Sequence, residues 1–208
     1  MADTAGTSVL SRPRRADVRA RILQAAAGVF LQHGYAESKL SDIAAEAGFT
    51  KGAVYSNFGS KPQLFCAVFA ERTASVTGIA LTESGVLDAH YTVEQTVAAI
   101  AASLTAQVTQ GSGWPTALAE FRALAVRDEA VRAAYTQLRL RQRTQLEQQL
   151  RSLAVALSLP ADFDYPVAAN LLLTLTNALA TESAASTDAT PPALIETTLA
   201  RLVQSLLP

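Results

Sequence analysis

The spacing of apolar residues is the feature that most constrains the fold of this 208-residue chain. From Asp17 onward they recur every three or four positions, beginning with Val18, Ile22, Ala25, Ala26, Val29 and Phe30. This period places them on one face of a helix, and no segment shows the every-second-residue alternation of a half-buried strand. Half of the residues are hydrophobic, which is enough for a sizeable core. The sequence therefore predicts an all-α protein.

Helix-ending and helix-starting residues divide the first third of the chain into short helices. Gly34 is a natural stop for the first helix, and Ser38 is the predicted N-cap of the second. Gly48 ends that helix, Thr50 caps a third, and Ser60 begins a fourth. Later helices are predicted from Pro115, and at Thr92–Gln110, Asp128–Leu157, Pro166–Ser183 and Pro192–Leu207.

The segment from 38 to 58 carries the most specific pattern. Two short helices flank a tight turn, Gly48 can adopt the positive φ that such a turn needs, and Ala44 is small enough for a close helix crossing. Ile43 and Val54 are placed to lock the two helices together. This arrangement is typical of a helix-turn-helix, whose second helix enters the DNA major groove.

The distribution of charged residues agrees with a DNA-binding segment near the N-terminus. Met1–Lys61 contains eight Lys and Arg against five Asp and Glu, a net charge of +3, whereas the remainder has nine against thirteen, a net charge of −4. A mildly basic N-terminal region on an acidic body suits a nucleic-acid partner.

Other classes of protein find little support. His33 and His90 do not have the spacing of metal ligands, and the sequence shows no nucleophile–base pair. Cys66 is predicted to be a thiol in the core. We therefore expect no enzyme activity, no metal and no cofactor. The N-terminus lacks a signal-type apolar segment and no stretch is long and apolar enough to span a membrane, so we expect a cytoplasmic protein.

The helix-turn-helix segment resembles the TetR family of bacterial regulators. The motifs that carry the likeness are Gly34-Tyr35, Leu40-Ser41-Asp42-Ile43-Ala44, Ala47-Gly48-Phe49-Thr50-Lys51-Gly52-Ala53-Val54-Tyr55, Phe58 and Lys61. The likeness extends from about Arg12 to Phe69. Two positions depart from the family pattern: Lys39 replaces the usual Ser or Thr, and Asn57 stands where His is frequent.

The resemblance implies a division of the chain into three parts. Residues 1–14 would be a disordered basic tail and 15–61 a helix-turn-helix DNA-binding domain, with its motif at about 39–58. Residues 62–208 would be a larger helical ligand-binding and dimerisation domain.

The resemblance also implies roles for individual residues. Those expected at or near base edges are Lys51, Gly52, Ala53, Ser56 and Asn57. Those expected at phosphates are Ser38, Lys39, Thr50, Tyr55 and Lys61. Tyr55 could instead be a core aromatic residue, and Lys61 a solvated lysine.

The last helix is apolar on more than one side, so it needs a second partner beyond its own core. The resemblance implies that the last two helices form a four-helix bundle with a second copy. The predicted interface residues are Leu194, Ile195, Thr198, Leu199, Leu202, Val203 and Leu206.

The middle helices combine apolar residues with a few polar ones, which describes either a small-molecule pocket or an ordinary core. The candidate pocket residues are Trp114, Glu120, Phe121, Arg122, Tyr135, Asn170, Thr174 and Asn177.

These observations give a working hypothesis: a homodimeric transcriptional repressor that a small-molecule ligand releases from a palindromic double-stranded DNA operator. An activator, or a ligand-independent DNA-binding protein of the same fold, would satisfy the same sequence.

Overall fold

The computed structural model describes residues 14–82, 92–109, 113–156 and 163–206. Within these ranges the chain forms nine helices and no strand, so the all-α prediction is confirmed. The helices are α1 (Arg15–Glu37), α2 (Leu40–Ala47), α3 (Lys51–Phe58), α4 (Lys61–Thr82), α5 (Val93–Thr109), α6 (Trp114–Ala125), α7 (Glu129–Ala156), α8 (Tyr165–Ala185) and α9 (Pro192–Leu206). The predicted tail lies outside the described residues except for Arg14, as do the predicted helix ends at Gln110, Leu157 and Leu207.

Helix α1 is broken where the sequence predicted its end. Gly34 has φ 70° and ψ 177°, a conformation that only glycine adopts readily. A Cβ atom built on Gly34 would lie 2.5 Å from Oε2 of Glu120 in α6. The absence of a side chain therefore allows both the turn of the backbone and the close approach of α6.

The predicted N-cap role of Ser38 is wrong. Helix α2 begins at Leu40 after Lys39, and Ser38 lies at the end of α1 instead. Its buried hydroxyl donates to the carbonyl of Gly34, and lies 3.4 Å from that of Val29. The break at Gly34 leaves backbone carbonyl groups without helical partners. The Ser38 hydroxyl satisfies these carbonyl groups instead of capping α2.

One apolar core joins α1–α4 to α6 and α7. Aromatic rings form its centre: the ring centroids of Phe65 and Phe121 are 4.5 Å apart, and those of Tyr35 and Phe121 are 4.6 Å apart. Cys66 packs against this core, where burial raises the pKa of its thiol to about 12. The core therefore crosses the domain boundary predicted at residue 61.

Two smaller apolar clusters fill the far part of the body, between α5, α7, α8 and α9. Helix α9 packs chiefly on α5. Its residues Ile195, Leu199 and Val203 are buried within the protomer, so they have little surface left for a second copy. They lie on the inner of the two apolar faces of α9.

The predicted pocket residues differ widely in their burial. Trp114 and Phe121 are buried in the aromatic core, whereas Arg122, Asn170 and Thr174 are exposed. The partly buried residues are Glu120, Tyr135 and Asn177. The apolar character of Trp114 and Phe121 therefore reflects core packing, and a pocket shared by the eight residues stays a prediction.

Over the described ranges, none of the helices is both long enough and apolar enough to cross a membrane. The same ranges contain no group of three His, Cys, Asp or Glu residues that could hold a metal ion.

Candidate nucleic-acid interface

The turn between α2 and α3 fixes the position of α3. Gly48 is left-handed, with φ 72° and ψ 33°, and its N–H donates to the carbonyl of Ala45 at 3.0 Å. The N–H of Phe49 donates to the carbonyl of Ala44 at 2.8 Å. These bonds satisfy the carbonyl groups at the end of α2 and turn the chain directly into α3.

Helix α3 is held by its inner face and presents its outer face to solvent. Val54 and Phe58 are buried, and the Oγ1 of Thr50 caps the helix by accepting from the N–H of Ala53 at 3.2 Å. Tyr55 is 46% exposed, so it is not a core residue. The Nζ of Lys51 lies 5.8 Å from the centroid of the Tyr55 ring, which places a cation and an aromatic hydroxyl on one face.

Gly52 leaves the backbone of α3 open on that face. The nearest heavy atom to a Cβ built there is Oγ1 of Thr50, at 3.7 Å, which is an ordinary contact. Neither the fold nor the helix therefore requires glycine here, and a glycine inside a helix is destabilising by roughly 0.5–1 kcal/mol relative to alanine. What the missing side chain does provide is close access to the backbone from outside.

Ser56 and Asn57 use their donors within α3. The Ser56 hydroxyl donates to the carbonyl of Ala53 at 3.0 Å, and the Asn57 Nδ2 donates to the same carbonyl at 2.8 Å. In this arrangement both side chains offer oxygen acceptors outward, which suits the amino groups of adenine and cytosine in the major groove.

Two arginines that the sequence reasoning missed brace the motif from α1. The Arg19 guanidinium lies 4.3 Å from the Phe58 ring centroid, and its Nη1 donates to the carbonyl of Asn57 at 3.2 Å. Arg21 lies 4.8 Å from the centroid of Phe49. Both arginines lie on the exposed side of α1. The spacing of the apolar residues in α1 already placed them on that side. They add positive charge beside α3.

The predicted phosphate residues differ in their surroundings. Lys39 and Thr50 are exposed, whereas Ser38 is buried and its hydroxyl donates to a backbone carbonyl. The Nζ of Lys61 donates to the carbonyl of Ala36 at 3.1 Å.

Lys61 is consequently more than a solvated lysine. Its Nζ also lies 4.5 Å from the centroid of the Tyr35 ring, and burial lowers its pKa. The ammonium ties the start of α4 to the end of α1, and it keeps two N–H donors for other partners.

The structure thus brings most of the predicted DNA-contacting residues together around one exposed helix. Those exposed on α3 or at its N-cap are Thr50, Lys51, Gly52, Tyr55 and Ser56, with Ala53 and Asn57 partly buried, and Lys39 is exposed at the start of α2.

Residues 22–68 match the family model described as bacterial regulatory proteins of the TetR family. This N-terminal segment belongs to the TetR family. The match covers α2 and α3 completely, together with most of α1 and the first turns of α4, so it includes the turn and the exposed helix described above but not Arg19 and Arg21.

Curated relatives share this N-terminal segment. The chain is 43% identical over 56 residues to the HTH-type transcriptional regulator SrpR of Pseudomonas putida, covering 27% of this chain and 26% of that protein. It is 42% identical over 55 residues to the A-factor receptor protein of Streptomyces griseus, covering 26% of this chain and 20% of that protein. The matched segment therefore spans only about a quarter of the first relative's length and a fifth of the second's.

Solved structures match the chain over nearly its whole length. A TetR transcription regulator from Haloarcula marismortui has a TM-score of 0.64 and 20% identity, covering 93% of this chain and 100% of that one. The regulator FadR of Bacillus subtilis, solved with stearoyl-CoA, has a TM-score of 0.60 and 18% identity, covering 91% and 99%. At these identities the likeness is one of fold, and it extends through α4–α9.

Proposed function

We propose that this protein is a sequence-specific DNA-binding transcriptional regulator that acts as a homodimeric repressor and leaves a palindromic operator when a small molecule binds. The observation that carries the proposal is the outer face of α3, where Gly52 exposes backbone between Lys51 and Tyr55 although the fold tolerates a larger residue.

The chemistry of this face fits a duplex. In the proposed complex α3 lies in the major groove, with Gly52 allowing close approach and Lys51, Ser56 and Asn57 near base edges. Lys39, Thr50 and the Tyr55 hydroxyl reach phosphates on either side, which sets the register of the helix. Lys61 can add a phosphate contact at the start of α4.

A second copy would cover the apolar surface that α8 and α9 leave exposed. Val167, Leu171 and Leu194 are 50%, 41% and 51% exposed, and α8 and α9 pack beside one another. Leu202 and Leu206 are partly buried and Thr198 lies on the same helix, so these remain in the proposed interface. A two-fold dimer would present its two α3 helices to half-sites about 34–36 Å apart.

Two similar proteins support the proposal of a small-molecule effector. One curated relative is a receptor for A-factor, and one structural neighbour contains stearoyl-CoA. A coupling free energy of about 1–3 kcal/mol would lower operator affinity roughly 5–150-fold when the effector binds.

Gly52→Ala tests the proposal, with Gly28→Ala as its matched control. Both glycines lie within helices and both tolerate a Cβ atom, but only Gly52 is on the outer face of α3. The experiment selects bound duplexes from a random pool and measures affinity at several salt concentrations, with sedimentation to give the mass of the free protein.

Gly52→Ala should lower operator affinity at least tenfold and leave the fold intact, while Gly28→Ala should bind as the parent does. Affinity should fall steeply with salt because phosphate contacts release counterions. An unchanged affinity in Gly52→Ala, or a protein that stays monomeric on and off DNA, would contradict the proposal.

A further inference from the structure

Several polar side-chain atoms in the body are buried and, in the part of the chain that the structure describes, make no hydrogen bond. These atoms are Gln107 Nε2, Arg139 Nη1, Gln142 Oε1, Gln149 Oε1 and Thr176 Oγ1. Each such atom costs about 1–3 kcal/mol, and native proteins keep few of them without a reason.

Four of the five lie at one level of the helix bundle. Leu104 of α5 packs against both body clusters, together with Leu146 of α7 and Leu172 of α8 in one of them and Leu175 of α8 in the other. Gln107 follows Leu104 on α5 and Thr176 follows Leu172 on α8, each by one turn. On α7, Gln142 precedes Leu146 by one turn, and Arg139 precedes it by two.

Because of the helix directions, the displacements from each leucine to its polar residue run the same way along the bundle. Arg151 contacts Tyr165 and Arg139 contacts Thr174, so α7 runs antiparallel to α8. Helices α5 and α8 run in the same sense, because Val97 and Ile100 cluster with Leu172 whereas Val108 clusters with Ala180. Gln149 lies beyond Leu146 in the other direction and does not belong to this group.

The group of Gln107, Arg139, Gln142 and Thr176, which we call the polar layer, borders the aromatic core. Leu138, the residue before Arg139, is the last member of that core along α7. Arg139 therefore lies where α7 passes from the core that includes the DNA-binding motif to the apolar clusters of the far body.

The donors and acceptors of the polar layer define a ligand. Arg139 supplies a planar cationic donor, and among the described residues it has no carboxylate within ion-pair distance; its Nη2 is 3.5 Å from the Oγ1 of Thr174. Gln107 supplies a second donor, the Thr176 hydroxyl can donate or accept, and Gln142 supplies an acceptor. Arg matches a carboxylate in charge and in geometry.

We infer that the polar layer is a binding site for an organic acid, whose carboxylate is held by Arg139, Gln107 and Thr176 while its apolar part lies against Leu104, Leu146 and Leu175. The inference rests on the proposed function, since it gives the effector of that regulator a chemical class. A ligand here would touch α5, α7 and α8 beside the core that supports the DNA-binding motif.

The test uses the full-length protein and measures the shift of its melting temperature with straight-chain carboxylates of two to ten carbons and with benzoate. The primary amide of each acid is the matched compound, because it keeps the shape and loses the charge. Arg139→Met is the site variant. Arg143→Gln is its control, since Arg143 is exposed on the same helix and pairs with Glu147.

At least one acid should raise the melting temperature while its amide does not, since a compound that binds only the folded state stabilises it. Its dissociation constant should rise at least tenfold in Arg139→Met and stay unchanged in Arg143→Gln, with circular dichroism showing that both variants are folded. No shift from any acid, equal shifts from acid and amide, or an unaltered shift in Arg139→Met would overturn the inference.

Operator release is measured separately with the same acids. Binding of an acid through Arg139 without release of DNA would leave the organic-acid site standing and would contradict the ligand-released repressor. Release without dependence on Arg139 would support the regulator and overturn this site.

Discussion

The two parts of the molecule treat buried polar groups in opposite ways. Around the aromatic core they are paired: Ser38 donates to the Gly34 carbonyl, and the N–H of Tyr35 donates to Oε2 of Glu120 at 3.0 Å. In the polar layer, by contrast, atoms of Arg139 and Gln142 are buried without a partner among the described residues. A fully paired core favours one rigid arrangement, which α3 needs in order to be presented accurately, whereas unpaired groups favour a region that takes up another molecule.

The largest expected effect is at the join of α1 and α6. Gly34→Ala should destabilise the fold by about 2–4 kcal/mol, because the backbone strain at positive φ adds to the displacement of Glu120 from its hydrogen bond. Chemical denaturation measures this loss.

Gly28→Ala is the control for that substitution. Gly28 lies in the same helix, where a Cβ atom would meet nothing within 4 Å, so alanine should stabilise by roughly 0.5–1 kcal/mol. Equal effects of the two substitutions would mean that the join is not rigid.

Glu120→Ala should cost about 1–2 kcal/mol, since it leaves the N–H of Tyr35 without its acceptor. Glu120→Gln keeps an oxygen at the same place and should recover at least half of that loss in the free energy of unfolding. If both variants have the same free energy of unfolding as the parent, the hydrogen bond between Tyr35 and Glu120 does not stabilise the core.

The smallest effects should have opposite signs in the two parts. Ser38→Ala removes a made hydrogen bond and should destabilise by about 1 kcal/mol, whereas Thr176→Val removes an unpaired hydroxyl and should stabilise by about 1 kcal/mol. Both are measured by thermal unfolding in the absence of any added ligand. A loss of stability in Thr176→Val would show that this hydroxyl has a partner.

The DNA-binding motif could be predicted closely from sequence because its signals are local. Gly48, Thr50 and the buried Val54 act within a few residues of one another, and the structure places each as the spacing indicates. Ser38 shows the limit of this reasoning, since the capping rule competed with carbonyl groups left free by the break at Gly34.

The polar layer could not be predicted in the same way because its members come from three helices distant in sequence. A partial signal existed on α7, where Arg139, Gln142 and Gln149 continue the inward spacing of Leu138, Leu146 and Leu153. Trp114 and Phe121, which the sequence predicted as pocket residues, lie instead in the aromatic core.

The aromatic core has a consequence for protein engineering. Phe65 lies beyond the predicted domain boundary, yet it stacks on Phe121 and packs against Phe30 of α1. A chimera that joins residues 1–61 to the body of another regulator would lose these ring contacts and expose the apolar side of α1 to water. A workable graft must carry the first half of α4 and a compatible α6 surface, so the transferable unit is larger than the reading motif itself.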